Sequence, residues 1–130
     1  MSDGVRYVSV KLIEAFADES AKFPGARDAI QNRLADQFGG SIVGIQDFTF
    51  EADTMRVSPP GHADTEDTEV YVTGVFHMNA MVHGSGSGGQ GDDEMFVGVY
   101  RCRRTECFRK EQARETMPKV YARMVAEGIF

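Results

Sequence analysis

The stretch that decides the fold reads EVYVTGVFHMNAMVH from Glu69 to His83, GSGSGGQGDD from Gly84 to Asp93, and EMFVGVYRCRR from Glu94 to Arg104. Every even position of the first run from 70 to 82 is apolar or glycine, whereas the odd positions are mixed and more polar. Because successive strand side chains point to opposite faces of a sheet, the first run predicts a strand with one dry face and one wetter face. The second run is a further strand, and the glycine-rich segment between them predicts a mobile hairpin tip over 84–91.

The composition bounds the class of protein. The 130 residues, 42% apolar and 26% charged, suit one soluble globular domain over 1–130. No apolar run approaches the roughly 18 residues that a membrane helix needs, and no signal peptide is visible at the N-terminus. We therefore expect a soluble cytoplasmic protein with no membrane partner.

Two cysteines, Cys102 and Cys107, lie close together in the sequence. On one extended strand their Cα atoms would stand roughly 16 Å apart, whereas a disulfide needs about 7 Å or less. Free thiols in a reducing compartment are therefore expected.

Further elements flank the hairpin. Residues 5–13 fit either a short strand running into a helix or a helix that begins at Ser2 or Asp3. Apolar residues recur every four positions from Ala26 to Phe38 and predict an amphipathic helix that ends at Gly39-Gly40. Residues 41–52 are predicted to form a strand and residues 53–68 a loop, which carries an acidic group of side chains and two prolines.

The C-terminal part is predicted to be a helix over 105–127, kinked or split near Met117 because Pro118 removes a helical hydrogen bond. The order of elements is then (β)αβββα. The fold class is α+β: one domain in which an antiparallel sheet with a long central hairpin carries helices on its dry face.

No motif in the sequence indicates an enzyme active site. Gly84–Gly89 matches the G-x-G-x-x-G pattern, but acidic residues and a strand follow where a phosphate site needs a helix. His77 and His83 share a strand face about 20 Å apart, too far to bind one metal ion. We expect no catalytic residues, no metal and no cofactor.

The charge changes sign along the chain. Residues 1–100 carry six basic and sixteen acidic side chains, whereas residues 101–130 carry eight basic and four acidic ones, for a net charge of −6. An anion-binding surface for an acidic protein partner is predicted from six basic residues: Arg101, Arg103, Arg104, Arg109, Lys110 and Arg114. Arg101 and Arg103 are expected on one strand face beyond Met95, Val97 and Val99, and Arg104 on the other with Phe96. The bland alternative is that these residues neutralise acidic loops of the same chain.

The wetter strand face supplies the second candidate site. Tyr71, Val75, His77 and Met81 would lie on a face that no third helix covers, and such a patch usually meets a partner. Self-pairing needs no second protein, so we predict a non-enzymatic interaction module that forms a homodimer through this face.

Two alternatives stay open. One is a small-molecule-binding protein or small enzyme with a pocket between sheet and helices. The other is nucleic-acid binding through the basic segment 101–123, since the order αβββα resembles that of double-stranded RNA-binding domains, although none of their sequence motifs is found. The acidic total charge weighs against nucleic acid.

Overall fold

The computed structural model of the protein describes residues 5–23, 25–39, 43–58, 68–83 and 94–130. One antiparallel sheet has the strand order β1-β2-β3-β4, with β1 Val5–Tyr7, β2 Val43–Ser58, β3 Glu69–His83 and β4 Glu94–Arg109. The helices are α1 Val10–Glu19, α2 Ala26–Gln37, α3 Lys110–Thr116 and α4 Pro118–Ala126, and a 3₁₀ turn, Ser20–Lys22, follows α1. The predicted α+β class is confirmed. Along the chain, two helices precede the three long strands and two helices follow them.

The two faces of β3 differ as its alternation predicts. The even positions Val70, Val72, Phe76, Met78 and Ala80 are at most 3% exposed, whereas the odd positions are half-buried. Buried side chains of α1, α2 and α4 join the even positions in one core. The helices therefore cover one face of the sheet, and the core lies between the two layers.

Strand β2 is longer than predicted, because two β-bulges change its phase. Its buried positions are odd at Ile45, even at Phe50 and odd again at Met55 and Val57. The register with β3 shifts between Gln46 and Thr49 and between Ala52 and Thr54. Each bulge adds one residue, and the strand continues to Ser58, so the loop predicted over 53–68 was wrong for residues 53–58.

Strand β4 is also longer than predicted, and it ends at Arg109 instead of Arg104. Residues 105–109 pair with the start of β3, and Phe108 faces the core at 1% exposure. The C-terminal helical region accordingly begins at Lys110, not at Thr105. A third register shift, opposite Ala80 and Met81, brings Phe96 onto the same face as Val99 and removes Met95 from it, so the predicted distribution of these residues was wrong.

Three smaller predictions are confirmed. The N-terminal segment is a short strand followed by a helix, whose N-cap Ser9 accepts a hydrogen bond from Leu12 N at 3.1 Å. The C-terminal helix divides at Met117, and Pro118 takes the first position of α4, where no N–H is needed. Both cysteines are free, Cys102 buried and Cys107 exposed.

The structure describes no helix that is both long enough and apolar enough to cross a membrane. The predicted hairpin tip and most of the acidic loop, residues 84–93 and 59–67, lie outside the described residues.

Candidate functional site

The four predicted interface residues lie together on one surface. Tyr71, Val75, His77 and Met81 alternate along β3 on the face opposite the core, and all four are half-buried by their neighbours on β2 and β4. Within the described residues, the helices pack on the other side of the sheet. We call this surface the open sheet face.

Charge is segregated across the open sheet face. Val75 pairs with Glu51 of β2 on one side and with Arg103 of β4 on the other. His77 pairs in the same way with Thr49 and with Arg101. In the middle of the face, the acidic Glu51 therefore lies on the β2 side and the basic Arg101 and Arg103 lie on the β4 side, whereas at the Tyr71 end β2 carries the basic Arg56.

Contacts within the chain neutralise part of this charge. Arg103 Nη1 lies 2.5 Å from Asp53 Oδ2, which the second bulge of β2 places on the open side. His77 Nε2 lies 3.9 Å from Glu51 Oε1, and the Glu51 side chain keeps 67% of its surface exposed. Neutralisation within the chain is thus real for Arg103, whereas no described carboxylate forms an ion pair with Arg101.

One end of the open sheet face is apolar. Met81 pairs with Phe96, and Asn79 pairs with Val99. Phe96 and Val99 are 55% and 64% exposed. Sequence reasoning missed Phe96 because simple alternation along β4 places it on the core side, and the bulge reverses this. Gly98 was the signal in the sequence, because a glycine inside a strand often marks a bulge. In the structure its φ is 153°.

The other end is polar and carries a shallow depression. The Arg56 guanidinium lies 4.9 Å from the centre of the Tyr71 ring. Thr54, Thr73 and Thr105 form a row across three strands, and the last two share a hydrogen bond of 2.8 Å. A depression of about 270 Å³ lies over these residues, with Val5 and Met55 in its wall.

A thiol, a carboxylate and a tyrosine hydroxyl lie together at this end. The Tyr71 hydroxyl donates to Glu69 at 3.2 Å, and Cys107 Sγ lies 3.7 Å from the other Glu69 oxygen. Cys107 is exposed as a whole, but partial desolvation by its neighbours and then the Glu69 carboxylate raise its pKa above the ordinary value of 9.0. The negative charge that Cys107 and Glu69 can carry raises the pKa of Tyr71 above 10.0. Since the thiolate is the reactive form, this thiol is a weak nucleophile near neutral pH.

The six basic residues of the predicted anion site do not form one surface. Arg101 and Arg103 lie on the open sheet face, and Arg109 lies on the same side opposite Glu69. Arg104 pairs with Gly74 on the core side, where its Nε donates to buried Glu106 at 2.8 Å. Lys110 and Arg114 lie in α3. They therefore belong to a different element from the four arginines, which lie on β4.

No group of three or more His, Cys, Asp or Glu side chains in the described ranges could hold a metal ion. Comparison of the chain with protein-family models, with curated proteins and with solved structures finds no match.

Proposed function

We propose that the protein is a non-enzymatic interaction module that forms a homodimer by stacking the open sheet faces of two copies. The observation that carries the proposal is the order acidic, apolar, basic across β2, β3 and β4, represented by Glu51, Val75 and Arg103. The middle of this surface is therefore complementary to itself in one orientation.

The orientation follows from symmetry. A two-fold axis that runs parallel to β3 between two stacked sheets exchanges left and right but keeps the position along the strand. It sets β2 of one copy over β4 of the other, so that Glu51 faces Arg103 of the second copy. Val75 and Met81 then lie near the axis and meet their own counterparts. An axis perpendicular to β3 would oppose like charges, which is unfavourable.

The size of the surface is adequate. Strands about 4.8 Å apart and 15 residues long on β3 give three strands a face of roughly 14 Å by 50 Å, or about 700 Å². A stable interface of standard size buries about 800 Å² on each partner. The short strand β1 widens the face at one end, and Phe96 and Val99 of β4 make the other end apolar.

The test is the mass in solution together with one variant of the face. Analytical centrifugation at tens of micromolar should give about twice the chain mass of 14.4 kDa. Val75→Glu places a charge near the two-fold axis and should raise the dissociation constant of the dimer at least tenfold. Val10→Glu is the matched control, because Val10 is 73% exposed on α1, away from the sheet.

Circular dichroism and urea unfolding of both variants establish that they fold. A wild-type chain that stays monomeric at these concentrations would refute the proposal, and so would a Val75→Glu variant that dimerises as well as Val10→Glu. A cytoplasmic location, in which both thiols stay reduced, fits the proposed function.

A second candidate is the binding of a small anionic ligand in the depression at the polar end. The guanidinium of Arg56, held over Tyr71, and the hydroxyl row of Thr54, Thr73 and Thr105 favour a carboxylate or phosphate there. Nucleic acid is less favoured, since Glu51, Asp53 and Glu69 share the face with the arginines. Protection of Arg56 from phenylglyoxal by a small dicarboxylate or by inorganic phosphate, lost in Thr105→Val, would support the second candidate.

A further inference from the structure

The outer edge of β4 differs from the outer edge of β2. On β2, the 3₁₀ turn and α2 supply side chains that occupy backbone carbonyls: Ser20 Oγ donates to Phe48 O and Arg27 Nη2 donates to Ile45 O, both at 2.8 Å. In the part of the chain that the structure describes, β4 has one neighbouring strand, β3. Its far edge therefore offers backbone groups to another extended chain.

The first half of this edge is apolar on both sides. Phe96 and Val99 belong to the open sheet face, whereas Met95 and Val97 do not, and the latter two are 64% and 43% exposed. A strand that exposes large apolar side chains beside unpaired backbone groups is a typical acceptor for an added strand.

A groove follows the edge on the helix side of the sheet. It has a volume of about 120 Å³ and lies between the C-terminal end of α2 and β4. Leu34 of α2 and Phe38, the residue that follows this helix, form one wall. Val97 and Tyr100 of β4 form the other, with Ala80 at the base. A strand added about 4.8 Å beyond β4 would direct every second side chain toward this groove.

Basic side chains follow the apolar part of the edge. Arg101 and Arg103 come directly after Val99 and Tyr100 on the same strand, and both are exposed. If β4 paired with β4 of a second copy over its full length, Arg101 would stand beside Arg101 or Arg103 of that copy, and like charges directly opposite are destabilising. An added strand with acidic residues at these positions would be complementary instead.

We propose that the β4 edge and its groove bind an extended segment of a different polypeptide as a fifth, antiparallel strand. The segment carries apolar side chains at alternate positions, preceded by acidic residues that meet Arg101 and Arg103. Stacking of two open sheet faces leaves the backbone edge of β4 and the helix-side groove accessible, whereas Arg101 and Arg103 belong to both surfaces.

The test uses a fluorescein-labelled ten-residue peptide with two glutamates at alternate positions, followed by alternating leucine and threonine. Fluorescence anisotropy with the full chain should show saturable binding. Val97→Lys and Phe38→Glu should each weaken it at least tenfold. Val125→Lys is the matched control, since Val125 of α4 is 46% exposed, close to the 43% of Val97, and should leave binding unchanged.

Two modified peptides test the binding mode. N-methylation removes backbone N–H donors, and methylating alternate residues blocks one edge of the peptide only. Strand addition predicts that one alternate set abolishes binding while the other preserves it. Equal effects of the two sets would overturn the proposal, because they indicate apolar contact without backbone pairing.

A third comparison tests the charge. A peptide with lysines in place of the two glutamates should bind the wild-type chain more weakly than the original peptide does. It should bind the Arg101→Glu variant more tightly than the original peptide does. If the peptide does not bind, the proposal fails. If Val97→Lys abolishes dimerisation while Val75→Glu does not, the edge pairs with a second copy, which overturns this proposal and the face-to-face dimer together.

Discussion

The carboxylate of Glu19, at the C-terminal end of α1, accepts a hydrogen bond of 2.7 Å from the backbone N–H of Val120 in the first turn of α4. The Glu19 residue is only 4% exposed. At the opposite ends of the same two helices, Ser9 donates to Glu127. The helices α1 and α4 therefore pack antiparallel, with a side chain of α1 satisfying the N-terminus of α4.

This relationship predicts the cost of removing the Glu19 carboxylate. Glu19→Ala should lower the free energy of unfolding by about 1–3 kcal/mol, because the buried Val120 N–H loses its acceptor. Glu19→Gln keeps an acceptor oxygen and should cost less. Lys22→Ala is the control: the Lys22 side chain is 55% exposed and 3.9 Å from Glu19, so its loss should cost under about 0.5 kcal/mol. Urea unfolding measures all three, and equal costs for Ala and Gln would contradict the cap.

Gly74 is required by the close approach of β2 and β3. A Cβ atom at this position would stand 2.3 Å from the carbonyl oxygen of Glu51 and 2.7 Å from the Cα of Ala52, at the edge of the second β2 bulge. Both are backbone atoms, so the strands must separate to admit a methyl group. Gly74→Ala should therefore cost roughly 1–3 kcal/mol in urea unfolding. Lys11→Ala, at an exposed position of α1 away from the open sheet face, should stay within about 0.5 kcal/mol, and a similar value for Gly74→Ala would contradict the described packing.

Glu127 gives the stability a dependence on pH. Burial raises its pKa, but the hydrogen bonds from Ser9 and Arg123 and the charge of Arg123 outweigh this, so the pKa of Glu127 lies below its ordinary value of 4.5. A carboxyl whose pKa is lower in the folded chain stabilises the fold above the unfolded pKa, and this contribution disappears as the pH falls through the folded pKa.

The measurement is the urea midpoint of wild type and Glu127→Gln between pH 7 and pH 3. The gap between the two should be present at pH 7 and should shrink below about pH 4.5, where the protonated wild-type side chain resembles glutamine. A gap that stays constant over this range would show that the Glu127 charge contributes nothing.

The sequence predicts the covered face of the sheet well, because β3 keeps one unbroken period of two from Val70 to Ala80. It predicts β2 and β4 less well, because β2 contains two bulges and β4 contains one. The buried set of β2 changes from Phe50 and Ala52 to Met55 and Val57, and a one-residue change of phase resembles the end of a strand. Only the pairing partner on β3 shows that the strand continues.

The candidate site residues on β3 were also predicted better than those on β4 and α3. The four residues of the open sheet face lie on β3 and are placed together as predicted. The anion site was predicted from residues adjacent in sequence. Arg104 lies on the core side, as the alternation along β4 predicts, and there its side chain donates to buried Glu106 instead of joining Arg101 and Arg103. Residues 105–109 were predicted to begin the C-terminal helix, and their pairing with residues 69–73 shows that they belong to β4.

The most direct measurement of the face-to-face dimer mixes two charge-reversed chains. Glu51→Arg leaves two basic groups, at positions 51 and 103, and Arg103→Glu leaves two acidic ones. In the proposed symmetry each variant opposes like charges across the interface, whereas the mixture pairs opposite charges at both positions. We expect each variant alone to dimerise at least tenfold more weakly than wild type, and an equimolar mixture to sediment as a dimer near the wild-type concentration. Variants that dimerise alone as well as wild type, or a mixture that stays monomeric, would contradict the stacking of the open sheet faces.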